Sequence, residues 1–434
     1  MKPLLGIVGL AGEYEVGFGE APGLLDCCAN ALEKAGMEVC NTKTVMKDLG
    51  SVKRAAAGLT GVQIDALVVC VCTWAEDHHL LDLLAYINKP VILWSFPAVE
   101  TGSMCGAHQI CSVLTELGIP YYPVYGVYHD NGVLNEISRI AAAVCLAQNL
   151  QKVRIGTVGG RIKGMTEIAF DEFEIKKRTG VRIVGIDENE LATACLEADP
   201  LLAQKEWESI RARKFKITSS EEHLLESMRY YLGMKSLIKE YALEGIVVKC
   251  YPCYMGKICL GYSILSEEGI VCGCEGDVNN TVMMKILYEL TGSPLHNTDI
   301  LYPDTAENTL LYSHCGSGGF SLAASSEEIN LAPVRLANSG VCTLFTSKPG
   351  VVTLANLVGR GGTMRMSVMT GEAVPTTMEF PGNPLKVRFE KDVLQINREI
   401  AQRGIGHHWM AGYGDVSYEL ELFCRINNIQ YNKI

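Results

Sequence analysis

DALVVCVCTW, residues 65–74, contains an unbroken apolar run from Ala66 to Cys72. A run of this kind, without alternating polar residues, is typical of a strand that is buried on both faces of a parallel sheet. The helical pattern DHHLLDLLAYIN follows, and KPVILWSF at 89–96 is a second apolar run. The pattern predicts a parallel sheet whose two faces are both covered by helices.

The chain on either side of this segment extends the same alternation. PLLGIVGL (3–10) and MEVCN are further strand patterns, and PGLLDCCANALEKAG (22–36) is an amphipathic helix pattern that ends at a glycine. Strands and helices that alternate in this way predict a flavodoxin-like α/β domain over residues 1–151. Ligands of such sheets bind beyond the carboxyl ends of the strands.

The rest of the chain divides into two further regions. Residues 152–309 again alternate strands with helices, including the strand EGIVVKCYP and the helix DVNNTVMMKILYELTG, which predicts a second α/β domain. From 310 to 434 the pattern changes to short alternating strands with glycine turns. This pattern predicts a β-rich, barrel-like C-terminal domain.

Composition excludes several classes of protein. The net charge of −11 and the lack of a basic stripe argue against nucleic-acid binding and against docking on anionic membranes. No apolar run approaches the roughly 18 residues of a membrane span, and no secretory signal is visible. Many of the 17 cysteines lie in apolar runs, where cysteine behaves as a small hydrophobic residue. We therefore expect a protein of the reducing cytoplasm.

GCEGDV, residues 273–278, places two carboxylates where a buried strand ends and a helix begins. Asp277 directly precedes the helix pattern, so it is the expected N-cap. Glu275 has no such local role, which leaves metal binding or proton transfer.

Three histidines stand in glycine-framed turns, although the chain has only nine. His314 lies in YSHCGSGG, and the pair His407–His408 lies in GIGHHWMAG. Together with Glu275 and Asp299 they form a mixed carboxylate and imidazole set that suits Mn²⁺, Co²⁺ or Fe²⁺. A structural role is the alternative for each histidine taken alone.

Other motifs allow different chemistry. The cysteine pairs Cys250–Cys253 and Cys272–Cys274 could hold zinc or, in the first pair, carry out redox chemistry. Both pairs adjoin apolar strands, which favours buried packing instead. The spacing of Gly6, Gly9 and Gly12 is a weak match to a dinucleotide fingerprint, and tight turns are the simpler interpretation.

The ordered set of motifs resembles the L-fucose and L-arabinose isomerase superfamily. It consists of LLESMRYYLGMKSLIKEYALEGIVVKCYP, GCEGDVNNTVMMKIL, LLYSHCG and GIGHH, with NKPVILWSF near the N-terminus. The resemblance spans nearly the whole chain. It implies two α/β domains followed by a β-rich domain, which agrees with the division above.

The resemblance also implies an activity and a site. Members interconvert aldoses and ketoses with a divalent metal, often Mn²⁺ and alternatively Co²⁺, Fe²⁺ or Mg²⁺, as homotrimers or homohexamers with active sites shared between subunits. By position, the resemblance implies Glu275, Asp299 and His408 as metal ligands and Glu275 and Asp299 as the proton-transferring pair. His314 matches a ligand of the arabinose branch, so it could bind the metal directly or contact a residue that binds the metal. A non-catalytic sugar-binding protein on the same scaffold is the alternative.

Two substrate classes are compatible with the sequence, because the chain is shorter than typical members. A neutral pentose or 6-deoxyhexose is the default, and a C6-anionic hexose such as sulfoquinovose is the alternative. Arg161 and Lys163, in the turn GGRIKGMTE, could grip such an anion or could simply face solvent. Trp74, His78 and His407 are the remaining candidates for sugar binding, and a solvated helix start is the simpler interpretation of His78.

Overall fold

The apolar runs of the N-terminal third form one parallel sheet. The computed structural model describes residues 2–434, and the chain divides into two compact units, Met1–Gln148 and Asn149–Ile434. The sheet of the first unit has the order β2-β1-β3-β4-β5, with parallel pairing throughout. Its strands are β1 (Leu4–Leu10), β2 (Glu38–Met46), β3 (Ala66–Val71), β4 (Val91–Ser95) and β5 (Tyr121–Tyr125).

Helices connect these strands. They are α1 (Ala21–Lys34), α2 (Leu49–Leu59), α3 (His78–Leu84), α4 (Ser103–Glu116) and α5 (Asn131–Asn149). Every residue of β3 and β4 is buried, as expected for the centre of a sheet covered on both faces. The predicted parallel-sheet α/β architecture of this part is confirmed.

The second unit begins with a four-stranded parallel sheet of order β10-β9-β6-β7. The strands up to residue 304 are β6 (Arg154–Val158), β7 (Arg182–Ile186), β8 (Lys216–Ile217), β9 (Gly245–Val248), β10 (Val271–Gly273) and β11 (His296–Asp304). The helices of this stretch are α6 (Glu172–Thr179), α7 (Glu188–Leu196), α8 (Pro200–Arg211), α9 (Glu221–Glu240), α10 (Cys259–Glu267) and α11 (Val278–Thr291).

Most strands of the C-terminal region belong to a barrel. The strands of this region are β12 (Thr309–Ser313), β13 (Asn330–Val334), β14 (Ser339–Leu344), β15 (Gly350–Arg360), β16 (Thr363–Val374), β17 (Leu385–Arg388), β18 (His408–Tyr413) and β19 (Gln430–Lys433), with helices α12 (Val393–Arg403) and α13 (Ser417–Ile426). Strands β13 and β14 pair with β8 in a separate three-stranded sheet. The order of the barrel sheet is β15-β18-β11-β12-β17-β16-β19, and the extra β15–β16 pairing closes a ring of six antiparallel strands. The predicted β-rich, barrel-like region is therefore confirmed.

Strand register brings distant residues of the second unit together. In the antiparallel pair β11–β18, Asp299 lies directly opposite His408. On the other side of β11, Asp299 lies opposite Ser313, the last residue of β12, and His314 follows at once. Three candidate site residues thus stand side by side at one place on the barrel.

The predicted domain boundary at residues 309/310 falls inside the second compact unit and stays a prediction. Strand β11, on the N-terminal side of that boundary, belongs to the barrel sheet. Among the helices of residues 2–434, none combines the length and the apolar character that crossing a bilayer requires.

Candidate metal centre

The site is built around the turn Cys274–Asp277, which joins β10 to α11. Glu275 and Gly276 both adopt left-handed backbone conformations, with φ of 63° and 76°. The amide of Glu275 lies 3.3 Å from Cys250 Sγ, and the amide of Gly276 donates to the carbonyl of Val248 at 3.2 Å. A positive φ at a glutamate is uncommon, and it persists here because the end of β9 holds the turn from both amides.

A second turn packs tightly against the first. A Cβ atom placed on Gly276 would lie 2.1 Å from the carbonyl oxygen of Gly160 and 3.1 Å from Cα of Arg161. Glycine is therefore required at 276 for space as well as for conformation. The contact also places the backbone of Arg161 beside the residue that follows Glu275.

His408 lies between the two carboxylates of the turn. Its Nε2 is 3.0 Å from Oε2 of Glu275, and its Nδ1 is 2.8 Å from Oδ2 of Asp277. The His408 ring is almost fully buried, and its backbone carbonyl accepts a hydrogen bond from Asn356 Nδ2 on β15 at 2.8 Å. The imidazole is therefore held at both nitrogens and through its own backbone.

Asp299 and His314 complete the group, and each has a buried polar atom without a partner. Asp299 Oδ1 lies 3.8 Å from His408 Nε2, and the rings of His314 and His408 meet edge to face at 5.8 Å. Within residues 2–434, neither Asp299 Oδ1 nor His314 Nδ1 has a hydrogen-bond partner. A buried polar atom left unpaired costs free energy, so these two atoms are the ones that an added ligand would satisfy.

Two overlapping sets of metal-ligand atoms result. Glu275, His314 and His408 form one, and Asp299, His407 and His408 form the other, with ligand atoms all within 4.8 Å of one another in each set. Carboxylate oxygens and imidazole nitrogens in one group suit Mn²⁺ and other divalent transition metals. The predicted ligands therefore converge, and the donor set fits a divalent cation.

Electrostatics at the centre favour positive charge. Burial alone lowers the pKa of His408, but its hydrogen bonds to Asp277 and Glu275 outweigh burial and raise that pKa to about 10. Burial raises the pKa of the Glu275 carboxyl, but the His408 hydrogen bond and the nearby His314 charge bring it below its ordinary value. Without a metal, a proton on His408 balances the carboxylates, and a cation can take that role.

The chain is similar in sequence to several proteins whose names state an activity. No family model matches the chain. The sulfoquinovose isomerase of Priestia megaterium is 25% identical over 387 residues, which is 86% of each chain. That of Clostridium sp. is 24% identical over 375 residues, 82% of this chain and 83% of the relative. The L-arabinose isomerase of Actinobacillus succinogenes is 20% identical over 305 residues, 66% of this chain and 61% of the relative.

These similarities support the fucose/arabinose isomerase superfamily, which is the one that the sequence resembles. The resemblance found in the sequence is thereby confirmed. The names of these superfamily relatives support a sugar aldose–ketose isomerase. The metal and the roles of individual residues are not decided by those names.

A glutamate that the sequence analysis did not single out lies at the edge of this group of residues. Glu167 Oε1 is 2.8 Å from His407 Nδ1, and both side chains are about two-fifths exposed, at 39% and 42%. The backbone carbonyl of Glu167 also accepts a hydrogen bond from Arg360 of β15. His407, predicted to bind sugar, is therefore oriented by Glu167 at the solvent side of the group. Only the closeness of Glu167 to Arg161 in GGRIKGMTE could have drawn attention to it.

The other predicted sugar-binding residues are all more exposed than the buried group. Arg161 and Lys163 are exposed in the turn that packs on Gly276. Trp74 and His78 belong to the first unit. Trp74 is half-buried and donates from Nε1 to Gln109 Oε1 at 2.8 Å, and His78 is the exposed first residue of α3. Their roles stay predictions.

Cys250, Cys272 and Cys274 are buried, whereas Cys253 is exposed. Within residues 2–434, no group of ligand atoms close enough to hold a metal includes a cysteine. Cys250 follows β9 and precedes a turn, so it has no helix N-terminus to activate its thiol. The expectation of tight turns is wrong for Gly6 and Gly9, which lie inside β1. Each lets a neighbour approach, since an added Cβ would meet Ile64 or Val45 below 3 Å.

Proposed function

We propose that this protein is a divalent-metal-dependent aldose–ketose isomerase that works through an ene-diol intermediate. The observation that carries the proposal is the convergence of Glu275, Asp299, His314 and His408, with two of their buried polar atoms unpaired. The four residues come from separate segments of the chain. A non-catalytic sugar-binding role is the alternative, and the retention of a complete ligand set argues against it.

Glu275, Asp299 and His408 would hold the metal, with His314 as a fourth candidate. Mn²⁺ is the cation that we favour, with Co²⁺, Fe²⁺ or Mg²⁺ as alternatives. When bound, the cation would polarise the sugar carbonyl and stabilise the negative charge that develops on the ene-diolate. The charge-balancing proton on His408 Nε2 would leave when this nitrogen becomes a ligand.

The two carboxylates move the protons. In the aldose-to-ketose direction, one of Glu275 and Asp299 takes the proton from C2, the C2–H electron pair forms the C1–C2 double bond, and the π pair of the C1–O double bond moves to O1. The other transfers the hydroxyl proton from O2 to O1, and the first returns its proton to C1, which leaves the carbonyl at C2. General acid–base catalysis of this kind contributes about 10² to 10⁴ in rate.

A hexose with an anionic group at C6 is the substrate class that we favour. Sulfoquinovose isomerases match more than four-fifths of this chain, whereas the arabinose isomerase matches 66% of it. Arg161 supports the same choice, because its turn packs on Gly276 beside Glu275 and its side chain is exposed. A guanidinium can bind two oxygens of a sulfonate or phosphate at once.

Assembly into a homotrimer or homohexamer, with Trp74 and His78 serving a shared site, is part of the same proposal. It rests on the superfamily relationship. Sedimentation analysis of the full-length protein checks it, and a monomer at the concentrations used for activity would count against it.

The decisive experiment combines metal removal with a matched set of sugars. Protein stripped with chelator is assayed for ketose formation by NMR on sulfoquinovose, quinovose, glucose 6-phosphate, L-arabinose and L-fucose, with and without Mn²⁺. We expect Mn²⁺-dependent turnover of sulfoquinovose and little of quinovose, which differs only in lacking the sulfonate. The Glu275→Gln variant should lose at least about 10³ in kcat, since it removes a carboxylate that transfers a proton.

Three results would overturn parts of this proposal. Full activity after complete metal removal would disprove the metal dependence. Near-wild-type turnover of Glu275→Gln would disprove the catalytic role of that carboxylate. Binding of a sugar without turnover at any metal would favour the non-catalytic alternative.

Substitution of Arg161 tests the substrate class. In Arg161→Gln we expect KM for sulfoquinovose to rise by about tenfold or more, because a charge-assisted hydrogen-bond pair to the sulfonate is lost. Lys163→Gln tests the second basic residue of the same turn in the same assay. Any activity on quinovose should be unchanged in both, and an equal loss on both sugars would exclude the proposed anion grip.

A further inference from the structure

A buried chain of hydrogen bonds runs from the backbone of β15 to His408. The amide of Leu357 donates to Asn280 Oδ1 at 3.0 Å, which fixes the orientation of the Asn280 side chain. Asn280 Nδ2 therefore points the other way and donates to Asp277 Oδ2 at 2.7 Å. Asn280, Asp277 and His408 are each no more than 5% exposed, so water does not share these bonds.

The same oxygen of Asp277 meets His408. His408 Nδ1 lies 2.8 Å from Asp277 Oδ2. An ionised carboxylate only accepts hydrogen bonds, so Nδ1 must carry a proton. With Nδ1 protonated, Nε2 is the nitrogen whose lone pair can bind a metal, and Nε2 is the atom that faces Glu275 and Asp299.

We propose that Asp277, held by Asn280, is a positioning residue that fixes the Nδ1–H form of His408 and thereby directs Nε2 to the metal. This role goes beyond the helix cap expected from the sequence, and it rests on the proposed metal dependence. A carboxylate behind a ligating histidine orients the ring and increases the basicity of the ligating nitrogen, and loss of such partners weakens metal binding about 10- to 100-fold.

The cap and the positioning role use different oxygens, which makes them separable. Asp277 Oδ1 accepts from the amide of Asn280 at 3.1 Å, whereas Oδ2 serves the two side chains. In Asp277→Asn, the oxygen can stay at the cap, and asparagine is as good an N-cap as aspartate. The new NH₂ would then face both Asn280 Nδ2 and His408 Nδ1. The side-chain amide of Asn280 cannot rotate by 180° to accept from it without losing the hydrogen bond from the Leu357 amide.

His408 in that variant can relieve the conflict only by giving up its Nδ1 proton. The neutral ring then carries its proton on Nε2 and cannot bind the metal through that nitrogen. The alternative is a 180° rotation of the new side-chain amide, which restores the acceptor for His408. Its NH₂ would then face the backbone N–H of Asn280, so that two donors would meet and the cap would be lost. That arrangement would lower the melting temperature of the metal-free protein, because the helix would lose its N-cap.

The test measures Mn²⁺ affinity by electron paramagnetic resonance of free Mn²⁺, at one fixed pH, on metal-free full-length protein. Asp277→Asn and Asp277→Ser are compared with wild type. Serine can still cap the helix, but it is too short to reach His408. We expect both variants to bind Mn²⁺ at least tenfold more weakly, while their metal-free melting temperatures stay within a few degrees of wild type.

Asp392→Asn is the matched control, because Asp392 caps α12 through the amide of Gln395 at 2.9 Å and is exposed. It should leave the Mn²⁺ affinity unchanged. Wild-type affinity in both Asp277 variants would overturn the positioning role and leave the isomerase proposal intact. Absence of Mn²⁺ binding in the wild-type protein itself would instead overturn the metal dependence on which this inference depends.

Discussion

His296 shows how burial alone controls a single residue near the barrel. It is the first residue of β11 and 1% exposed, and the rings of Phe345 and Tyr413 lie 6.5 and 6.1 Å away. Its Nε2 has no hydrogen-bond partner in the part of the chain that the structure describes. Burial, helped by the charge of Lys348, lowers its pKa from 6.5 to about 3. The folded protein therefore keeps His296 neutral across the physiological range.

This depressed pKa predicts a pH-dependent loss of stability. Between pH 6.5 and 3 the unfolded chain binds a proton at this position and the folded chain does not, so stability is complete above pH 6.5 and falls as the pH falls. From pH 8 to pH 5 the loss from this one group is about 2 kcal/mol. His296→Phe should reduce the pH-dependent loss by that amount, measured by urea unfolding at both pH values. Equal losses in the two proteins would contradict the prediction, and any constant effect of the substitution cancels in the comparison.

At the scale of elements, the site depends on two turns in contact. The turn after β10 carries Glu275, and the turn after β6 carries Arg161, and they meet where Gly276 faces Gly160. A methyl group at 276 has no space and would push these turns apart. Movement of either turn would shift a proposed metal ligand relative to the proposed anion grip.

Gly276→Ala should therefore lower the free energy of unfolding much more than the same substitution at Gly160, across the contact. Gly160 also has a left-handed φ, of 71°, but an added Cβ there would meet no atom within 4 Å. Gly160→Ala should cost only the left-handed conformation, about 1 to 2 kcal/mol. Gly276→Ala should lower the free energy of unfolding by at least about 2 kcal/mol more, because it adds a core clash, and should reduce kcat as well. Similar costs for the two variants in urea unfolding would show that the turns move apart freely.

The sequence predicted the elements of this site better than the contacts between them. Local patterns predicted the strand before GCEGDV, the helix after it and Asp277 as the cap, and the structure confirms all three. A cap is a short-range feature and can be read from neighbouring residues. The second contact of Asp277 reaches His408, 131 residues away, and no local pattern encodes such a pairing.

Asn280 and Asn356 were not predicted as part of the site, because their contacts are also long-range. Asn280 lies within a helix pattern and Asn356 within an apolar strand, where each looks like an isolated polar residue. Their roles depend on strand order in the barrel, which places β15 beside β18 and β18 beside β11. Strand order and register are set by long-range pairing. Asp299 was proposed through family resemblance, whereas its position opposite His408 required the structure.

For the whole molecule, the two compact units carry different parts of the proposed function. Every candidate metal ligand lies in Asn149–Ile434, and the five-stranded sheet of Met1–Gln148 contributes none of them. The sheet of the first unit is held by its own buried core, which includes Val69, Leu93 and Leu80. Metal binding should therefore stabilise the chain unevenly.

Hydrogen exchange measured by mass spectrometry, with and without Mn²⁺, tests this asymmetry. A ligand that binds only the folded state at a hundred times its Kd adds about 2.7 kcal/mol of stability, which should slow exchange wherever amides open together with the site. We expect slower exchange in peptides that cover β10 and the start of α11, and in β11, β12 and β18. Peptides from β1 to β5 should be unchanged. The His408→Gln variant, which lacks one proposed ligand, should show little protection at the same Mn²⁺ concentration. Equal protection of both units, or protection that persists in the variant, would place the metal elsewhere than at Glu275, Asp299, His314 and His408.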